Sequence, residues 1–395
     1  MQAGSKVGKR YPFSFTGSGQ EYFRIWIVNI FLTIVTLYIY SAWAKVRTKR
    51  YFYGNTVLDG TSLEYHAKPK QILLSRLVAL VLLVAVTIGS TVNPAISVVA
   101  TVLLFLVVPW AIWRSVKFNA RMTSYRNVRF GFDGGLRPIL LYQLILPVMP
   151  LIVVVGAAVL VETMDDGLTN VAALFTSLAV AITILIIPLV HKLLANYYLR
   201  NYRYGKSSFS GDLSLWRFYA IYIQALLLSL LSILLFSIVA GGIAWAMGLI
   251  NVGSLKSLAF AEFEEGPSET VILSVGFAVY IFFIVASLFV AAFFRARMRT
   301  HWFQSALLDQ RVSFESTATT GSLWWILFTN LLITTFTMGF GKPFAKVRMA
   351  RYLADNTAVY SKEELNNFIS DKQEDVSAFG DELGDAFDMD MDVGF

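Results

Sequence analysis

Residues 44–56 read AKVRTKRYFYGNT, and residues 345–357 read AKVRMARYLADNT. These two blocks are the most similar parts of two longer segments, 13–56 and 314–357, which align without a gap and match at 14 of 44 positions. Upstream of the blocks, polar residues recur as well: Asn29, Thr33 and Thr36 in the first segment align with Asn330, Thr334 and Thr337 in the second. An internal repeat of this kind predicts that the two ends of the chain share one local structure.

The composition indicates a membrane protein. Of the 395 residues, 56% are hydrophobic and 15% are charged, whereas a soluble domain carries about 25% charged residues. A spanning helix needs about 20 mainly apolar residues. Stretches of that kind lie at 22–43, 72–92, 95–113, 139–161, 171–190, 218–248, 271–294 and 322–341. Because these stretches lack the polar faces of surface helices in soluble proteins, the sequence predicts an integral membrane protein.

Basic residues are concentrated in alternate connections between the apolar stretches. The connections 44–71, 114–138, 191–217 and 295–321 contain 21 lysines and arginines. The three alternate connections between spanning stretches contain only Lys256. Because Lys and Arg in short loops mark the cytoplasmic side of a bacterial membrane, the four basic connections are predicted to be cytoplasmic. Both termini are predicted to be cytoplasmic as well, on the hypothesis that the terminal stretches 22–43 and 322–341 enter the membrane and return.

The basic connections share a motif. Looser copies of the arginine–tyrosine block lie at 119–126, 195–202 and 295–302, and each precedes a short alternation of aromatic and polar residues. We interpret the unit as a helix end, an arginine–tyrosine turn and a short strand. Only the stretch 322–341 separates the fourth copy from the fifth. All copies therefore share a side if 322–341, and likewise 22–43, enters the membrane and returns. In the alternative, both stretches span and the last copy lies outside.

The predicted fold class is all-α. It is a membrane bundle of about six spanning helices flanked by two re-entrant or partly inserted terminal stretches, with short cytoplasmic strands. The predicted domains are a cytoplasmic segment at 1–21, a membrane domain with internal repeats at 22–360 and a tail at 361–395. The tail contains 2 basic and 11 acidic residues, a charge content that predicts disorder.

Several motifs resemble a known family. The runs FSFTG at 13–17, EYFRIW at 21–26 and SAWAKVR at 41–47, followed by Arg50 and Tyr51, resemble the YjgN-like family of bacterial inner-membrane proteins. The resemblance extends to about Tyr360 and implies a multi-pass protein of the inner membrane. It implies no catalytic residue, because the function of the family is unknown. Genes of this kind often lie beside genes for membrane zinc peptidases, so the resemblance suggests such a peptidase as a partner.

Two polar columns at membrane depth are candidate binding residues. The first column contains Asn29, Thr33 and Thr36, and the second contains Asn330, Thr334 and Thr337. The spacing i, i+4 and i+7 places each column on one face of a helix. Such columns either line a path for a substrate or form hydrogen bonds between helices, each contributing about 0.6 kcal/mol.

The arginine–tyrosine blocks are candidate sites for lipid headgroups or other anions. Their residues are Arg47, Arg50, Tyr51, Arg348, Arg351 and Tyr352. Arginine binds phosphate through paired hydrogen bonds, and tyrosine favours the headgroup zone of a membrane. The alternative is that these residues only anchor helix ends at the interface.

The sequence carries no motif of a known enzyme class, such as a zinc-peptidase helix, a phosphate-binding loop or a nucleophile elbow. There is no cysteine, and the three histidines lie far apart in sequence. No enzyme activity, metal site or cofactor is therefore predicted. The central thirds of the apolar stretches contain no ionisable residue, which argues against a proton-coupled transporter. The basic surface is expected to contact anionic lipid and not nucleic acid.

Two functions stay open. The first is a transporter or channel-like protein for a small solute or lipid, and a wet cavity lined by the polar columns would favour it. The second is a structural or regulatory membrane protein, such as an accessory partner of a membrane peptidase. The acidic tail would then bind a membrane or soluble protein partner, or screen the basic surface of the protein itself. The sequence leaves the oligomeric state open.

Overall fold

Short strands alternate with pairs of helices along the chain. The computed structural model describes residues 8–92, 94–163, 169–246, 269–365 and 367–369. Five successive segments have the order strand, helix, helix, strand. The strands are β1 (Lys9–Phe15), β2 (Thr56–Leu58), β3 (Thr61–Tyr65), β4 (Thr123–Tyr125), β5 (Val128–Phe132), β6 (Tyr202–Tyr204), β7 (Ser207–Ser210), β8 (Leu307–Leu308), β9 (Val312–Ser316) and β10 (Thr357–Ser361).

The helices form five hairpins between these strands. They are α1 (Gly19–Val35), α2 (Ser41–Gly54), α3 (Pro69–Val92), α4 (Pro94–Arg121), α5 (Leu136–Leu140), α6 (Leu146–Thr163), α7 (Thr169–Asn201), α8 (Leu215–Ala246), α9 (Glu269–Ser305), α10 (Thr320–Phe336) and α11 (Lys342–Asp355). A π-helical turn at Leu141–Ile145 joins α5 to α6. We call α1–α2 and α10–α11 the short hairpins, and α3–α4, α5–α7 and α8–α9 the long hairpins.

The ten strands form one closed antiparallel barrel. Each strand pairs with its neighbours in sequence, and the pairing of β1 with β10 closes the ring. In that closing pair Arg10 lies opposite Tyr360, and Pro12 lies opposite Ala358. A closed barrel has no unpaired strand edge, so strands of two to seven residues share a continuous ladder of hydrogen bonds.

Tight turns lie at the barrel mouth remote from the helices. Asp59 and Gly60 between β2 and β3 have φ angles of 46° and 75°, and Arg126 and Asn127 between β4 and β5 have 47° and 66°. Two consecutive residues with positive φ form the turn whose twist matches that of a β-hairpin. The Arg126 guanidinium also pairs with the Asp59 carboxylate at 2.8 Å and ties the two turns together.

The barrel interior is a packed core. Its side chains are Tyr11, Phe13, Leu58, Leu63, Tyr125, Val128, Phe130, Tyr204, Phe209, Leu308, Val312, Phe314 and Val359. The Tyr125 hydroxyl donates to the Leu58 carbonyl at 2.7 Å, and the Tyr204 hydroxyl donates to the Tyr125 carbonyl at 2.9 Å. Burial raises the pKa of Tyr125 to about 12, because the phenolate would lose its hydration inside the barrel.

The chain covers the turn-side mouth of the barrel after β10. Leu365, Phe368 and Ile369 are 4%, 2% and 3% exposed and pack against the barrel core. The backbone N–H of Leu365 donates to the Tyr11 hydroxyl at 3.2 Å. We call Leu365, Phe368 and Ile369 the plug, because their apolar side chains close this mouth.

The hairpins leave the barrel at the opposite mouth and form a ring. Extensive contacts among the described helices run between chain neighbours and between α1 and α11. The second helix of each hairpin packs against the following strand pair: α2 on β3, α4 on β5, α7 on β7, α9 on β9 and α11 on β1. The two short hairpins are therefore adjacent in space, although they lie at opposite ends of the sequence.

Four helical segments among the described residues are long and apolar enough to cross a membrane. They are Leu136–Gly156, Ala173–Asn201, Leu215–Gly242 and Gly276–Ser305. Helix α10 is apolar but contains only 17 residues, fewer than the roughly 20 that a spanning helix needs.

The prediction of an all-α bundle with about six spanning helices is wrong. The short strands were expected as separate cytoplasmic elements, but they pair into a ten-stranded closed barrel, and four spans are found in the described part of the chain. The barrel could not be predicted from the sequence, because the strands that close it are short and about 350 residues apart. Local periodicity can indicate a strand but does not identify the strand with which it pairs. The predicted disordered tail also begins too early, because Ser361 lies in β10 and the plug is buried; residues 370–395 lie outside the described part.

The plug is expected to stabilise the barrel. Replacing Phe368 with Ala should lower the free energy of unfolding by about 3 kcal/mol, because it leaves a cavity against the barrel core. Chemical unfolding of the purified protein, followed by tryptophan fluorescence, measures the change. Asn367→Ala is the matched control, since Asn367 is exposed. Equal stability of F368A and N367A would contradict the described packing of the plug.

Candidate functional site at the short hairpins

The polar columns lie in α1 and α10, the first helices of the two short hairpins. The Thr33 hydroxyl donates to the Asn29 carbonyl at 2.6 Å, and the Thr334 hydroxyl donates to the Asn330 carbonyl at 2.7 Å. Both hydroxyls therefore bond within their own helix. Helix α11 contacts both α1 and α10, and the two columns occupy equivalent positions in separate hairpins.

The last threonine of each column supports the turn at the hairpin tip. The Thr36 hydroxyl donates to the Leu32 carbonyl at 2.7 Å and accepts from the Tyr40 backbone N–H at 2.9 Å. The Thr337 hydroxyl donates to the Ile333 carbonyl and accepts from the Gly341 backbone N–H, both at 2.6 Å. Each hydroxyl thus satisfies a backbone donor and a backbone acceptor where the helix ends.

The backbone of the two tips follows one path. Leu37 and Tyr38 have φ angles of 47° and 74°, and Met338 and Gly339 have 50° and 93°. The Tyr38 N–H donates to the Thr33 carbonyl at 2.8 Å, and the Gly339 N–H donates to the Thr334 carbonyl at 2.7 Å. This left-handed ending closes a helix by returning the chain onto its own carbonyls.

The tips expose large apolar side chains. Leu37 is 88% exposed, Phe336 is 82% exposed and Met338 is 92% exposed. An apolar tip whose backbone groups are satisfied internally can lie in hydrocarbon, where each unsatisfied N–H or C=O would cost several kcal/mol. The repeated threonines therefore have a structural role that suits a helical turn inside a membrane.

The two asparagines at the base of the columns differ. The Asn330 side chain donates to the Ala345 carbonyl at 3.1 Å and joins α10 to α11. Asn29 is 5% exposed, and neither its amide nitrogen nor its amide oxygen has a hydrogen-bond partner. A buried amide atom without a partner is unfavourable. Asn29 therefore has unused hydrogen-bonding capacity at both amide atoms, and Asn330 has it at its amide oxygen alone.

Two of the four arginines of the predicted headgroup site fasten helices to carbonyls at or just after barrel strands. Arg50 donates to the carbonyls of Tyr65 and Ala67 at 3.3 and 3.2 Å. Arg351 donates to the Gly17 carbonyl at 2.9 Å. Arg348 donates to the Thr329 hydroxyl. Arg47 is exposed, as are Arg50 and Arg351. Contact of these guanidiniums with lipid headgroups stays a prediction.

Lysines next to Arg47 make this face of α2 electropositive. Burial, followed by repulsion from Arg76, lowers the pKa of Lys45. Burial, followed by repulsion from Lys45, lowers the pKa of Lys49. Cations crowded at the end of a hairpin attract anionic lipid at short range.

The tyrosines of the blocks hold the start of the first helix in each hairpin. The Tyr51 hydroxyl donates to the Ser18 carbonyl at 2.8 Å, and burial is the largest cause of its raised pKa, ahead of the Glu21 carboxylate. The Tyr352 hydroxyl accepts from the Thr319 N–H at 3.0 Å. These contacts hold the starts of α1 and α10 within the protein. Anchoring of helix ends at the membrane interface stays a prediction.

Two threonine–asparagine hydrogen bonds lie beside these tyrosines and were not predicted from the sequence; we call each of them a latch. The Thr16 hydroxyl donates to the Asn55 side-chain oxygen, and the Thr317 hydroxyl donates to the Asn356 side-chain oxygen, both at 3.0 Å. Each latch joins the end of one strand to the residue that precedes its return strand. The signal was present in the repeat, since Thr16, Asn55 and their counterparts are among its matching positions.

Comparison with known proteins places this architecture in a family. A family model described as "Bacterial protein of unknown function (DUF898)" matches residues 10–386. Inner membrane protein YjgN of Salmonella typhimurium is 25% identical over 362 residues, which cover 90% of each chain. YjgN of Escherichia coli O157:H7 is 25% identical over 361 residues, which cover 88% of each chain. No solved structure matches the chain.

The threonine caps at the tips are expected to stabilise the short hairpins. Thr36→Val and Thr337→Val should each lower the free energy of unfolding by about 1–3 kcal/mol, because the Tyr40 or Gly341 N–H loses its acceptor. Unfolding of each variant in lipid nanodiscs measures the change. Thr183→Val is the control, since the Thr183 hydroxyl bonds the Ala179 carbonyl inside α7. An equal decrease in the free energy of unfolding of T183V and of the tip variants would contradict the prediction, because it would show that the hydrogen bond to the turn N–H adds no stability.

Proposed function

The chain belongs to the DUF898 family of bacterial proteins of unknown function, and from this premise we propose that it is a transport protein that moves lipid within the inner membrane. Its curated relatives are named inner membrane proteins, and the described helices include apolar segments of spanning length. The observation that carries the proposal is the unequal height of the hairpin ring. Two adjacent hairpins are short, and the other three are long.

The helix lengths define a notch in the ring. Helices α1 and α10 contain 17 residues each, so each rises about 26 Å, whereas the 32 residues of α8 rise about 48 Å. The hydrocarbon core of a bilayer is about 30 Å thick. With all hairpins starting from one barrel mouth, the two short ones end within the bilayer. Lipid would fill the space above their apolar tips.

The long hairpins expose apolar side chains on more than one side, which favours lipid as their surroundings. In the segment Leu215–Gly242, only 6% of the most apolar window is buried. Successive residues Ile233, Leu234 and Leu235 are 58%, 56% and 51% exposed, although successive residues of a helix point in different directions. A helix with apolar side chains exposed all round needs acyl chains around it, which supports a lipid and not an aqueous solute as the transported molecule.

The polar groups in the membrane segments also argue against an aqueous path. Hydroxyls of Thr33, Thr334, Ser229 and Ser232 bond to carbonyls of their own helices. Such hydroxyls are satisfied and provide no continuous chain of polar sites for a hydrated solute. The movement we propose is therefore that of a lipid whose tails stay in hydrocarbon and whose headgroup passes along the notch.

The internal repeat and the orientation of the protein belong to the same proposal. The order strand, helix, helix, strand recurs five times, and we interpret each recurrence as one copy of an ancestral unit. The four basic connections all lead into barrel strands, so the positive-inside rule supports a barrel on the cytoplasmic side. Both short hairpins would then open their notch toward the opposite leaflet.

The rival function is a structural or regulatory role, such as an accessory partner of a membrane peptidase. The packed barrel core favours this rival, because a filled barrel provides no path through itself. The two proposals make different predictions, since only a transport protein accelerates lipid movement when it is alone in a bilayer.

The orientation can be tested with single cysteines, because the natural chain has none. Ser208→Cys on β7 should react with a membrane-impermeant maleimide only after cells are permeabilised. Thr169→Cys, at the far end of α7, should react in intact cells. Labelling of position 208 in intact cells would contradict a cytoplasmic barrel.

Lipid movement can be tested in vesicles that contain the purified protein and a trace of fluorescent phospholipid. A reductant added outside should bleach the label of both leaflets within minutes, whereas in protein-free vesicles it should bleach only the outer leaflet. Leu37→Glu combined with Met338→Glu should abolish the effect, because a charge in hydrocarbon costs about 3 kcal/mol. The matched control is Ser208→Glu on the exposed face of β7. Bleaching limited to the outer leaflet with folded wild-type protein would contradict transport and leave the rival.

A further inference from the structure

A cavity of about 560 Å³ lies between the last long hairpin and the second short one. The first turns of α8, the last turns of α9 and the start of α10 enclose it. Its polar lining includes Arg217, Gln224, Arg297, Thr300, His301 and Thr319. We propose that this cavity is a binding site for a phosphate group, provided either by a lipid headgroup or by a soluble phosphate. The site stands independently of lipid transport.

The charge of the cavity favours an anion. Two guanidinium groups, those of Arg217 and Arg297, line it, and no aspartate or glutamate lies among its lining residues. Both arginines are exposed at the cavity mouth, so an anion reaches them without crossing the protein. Paired arginines match the oxygen geometry of phosphate better than lysines do.

His301 provides the second and independent observation. Its side chain lines the cavity, the residue is 4% exposed, and neither ring nitrogen has a hydrogen-bond partner. The backbone of Ser214 lies near the ring but does not complete a hydrogen bond of normal geometry. Buried polar groups nearly always have a partner, so an imidazole with two unused nitrogens facing a cavity indicates a missing ligand.

The fold explains why the space exists at this junction. The N–H groups of Asn55, Asn356 and Ala306 each bond the carbonyl four residues earlier, at the end of α2, α11 and α9, respectively. Five residues before them stand Arg50, Arg351 and His301. Arg50 bonds the Ala67 carbonyl and Arg351 bonds the Gly17 carbonyl, each two residues after the strand that leads into the adjacent hairpin (β3 and β1). The shorter imidazole leaves the corresponding space, next to Ala318, open.

Helix ends reinforce the preference for an anion. Helices α8 and α10 both begin at the cavity, with Arg217 in the first turn of α8 and Thr320 as the first residue of α10. The N-terminus of a helix carries a partial positive charge and favours phosphate. The cavity also lies where the candidate spans Leu215–Gly242 and Gly276–Ser305 meet the barrel, which is headgroup level for a lipid.

The test uses the full-length protein in detergent, with an environment-sensitive fluorophore on Gln304→Cys at the cavity mouth. Three probes are titrated: inorganic phosphate, micelles with phosphatidylglycerol, and micelles with a galactolipid that lacks phosphate. A saturable response to inorganic phosphate and phosphatidylglycerol identifies a general phosphate site, and a response to one of them alone identifies its source. The galactolipid should give none.

Variants separate a built site from surface charge. Arg217→Gln combined with Arg297→Gln should weaken phosphate binding at least tenfold, and His301→Phe should weaken it severalfold. Arg137→Gln is the matched control, because Arg137 begins α5 in another hairpin and is exposed; it should leave affinity within twofold. A second control needs no variant of the cavity and is used if the arginine or histidine variants do not fold. In it, the fluorophore is attached to Ser208→Cys, remote from the cavity, in the otherwise natural chain, and its fluorescence should not respond to phosphate.

Three results would overturn the proposal. The first is no saturable response at position 304 to either phosphate probe. The second is an equal response to the galactolipid, which would indicate acyl-chain contact without recognition of phosphate. The third is an equal loss of affinity in R137Q and in the double arginine variant, or an equal response at position 208, which would indicate attraction to the basic surface in general.

Discussion

The pairing of β1 with β10 is the interaction on which the rest of the structure depends. These strands are about 350 residues apart, yet their antiparallel register places Tyr11 opposite Val359. Closure fixes the start of the first hairpin beside the end of the last one, so α1 packs against α11. It also gives every hairpin the same barrel mouth as its origin. Without it the chain would have two free sheet edges and no reason for its short hairpins to be neighbours.

Many of the polar side chains in the hairpins form hydrogen bonds with the backbone of the protein itself. At the hairpin tips, threonine hydroxyls serve the ends of helices, and in the arginine–tyrosine blocks the guanidiniums of Arg50 and Arg351 serve the carbonyls after the strands. Side chains are expected to satisfy backbone groups in this way inside a membrane, because each unpaired N–H or C=O in hydrocarbon is costly. Asn29 and His301 stand out among the exceptions in the described residues, because both hydrogen-bonding atoms of each side chain are buried without a partner.

Sequence reasoning predicted the local pieces better than their assembly. The sequence alone shows the apolar stretches, the basic connections and the repeated blocks. It also predicts the short strands after each arginine–tyrosine turn. The barrel was not expected, because strands of two to seven residues carry little periodicity, and among the turns between paired strands only Asp59-Gly60 is a strong turn signal. That the polar columns bind a ligand stays a prediction, although their hydroxyls have backbone partners. His301 was passed over because the three histidines are distant in sequence, whereas its alignment with Arg50 becomes visible only once the helix ends are known.

Barrel closure is tested most directly by a disulfide between Arg10→Cys and Tyr360→Cys in native membranes. A protease site inserted between residues 249 and 268 would cut the chain into two fragments. With the closed barrel, mild oxidation should keep the fragments together on a non-reducing gel, and a reductant should separate them. The pair Ser208→Cys and Tyr360→Cys, which lie in different fragments on the non-neighbouring strands β7 and β10, should not link the fragments. Fragments that separate without reductant in the first pair would contradict the barrel, and with it the adjacency of the short hairpins.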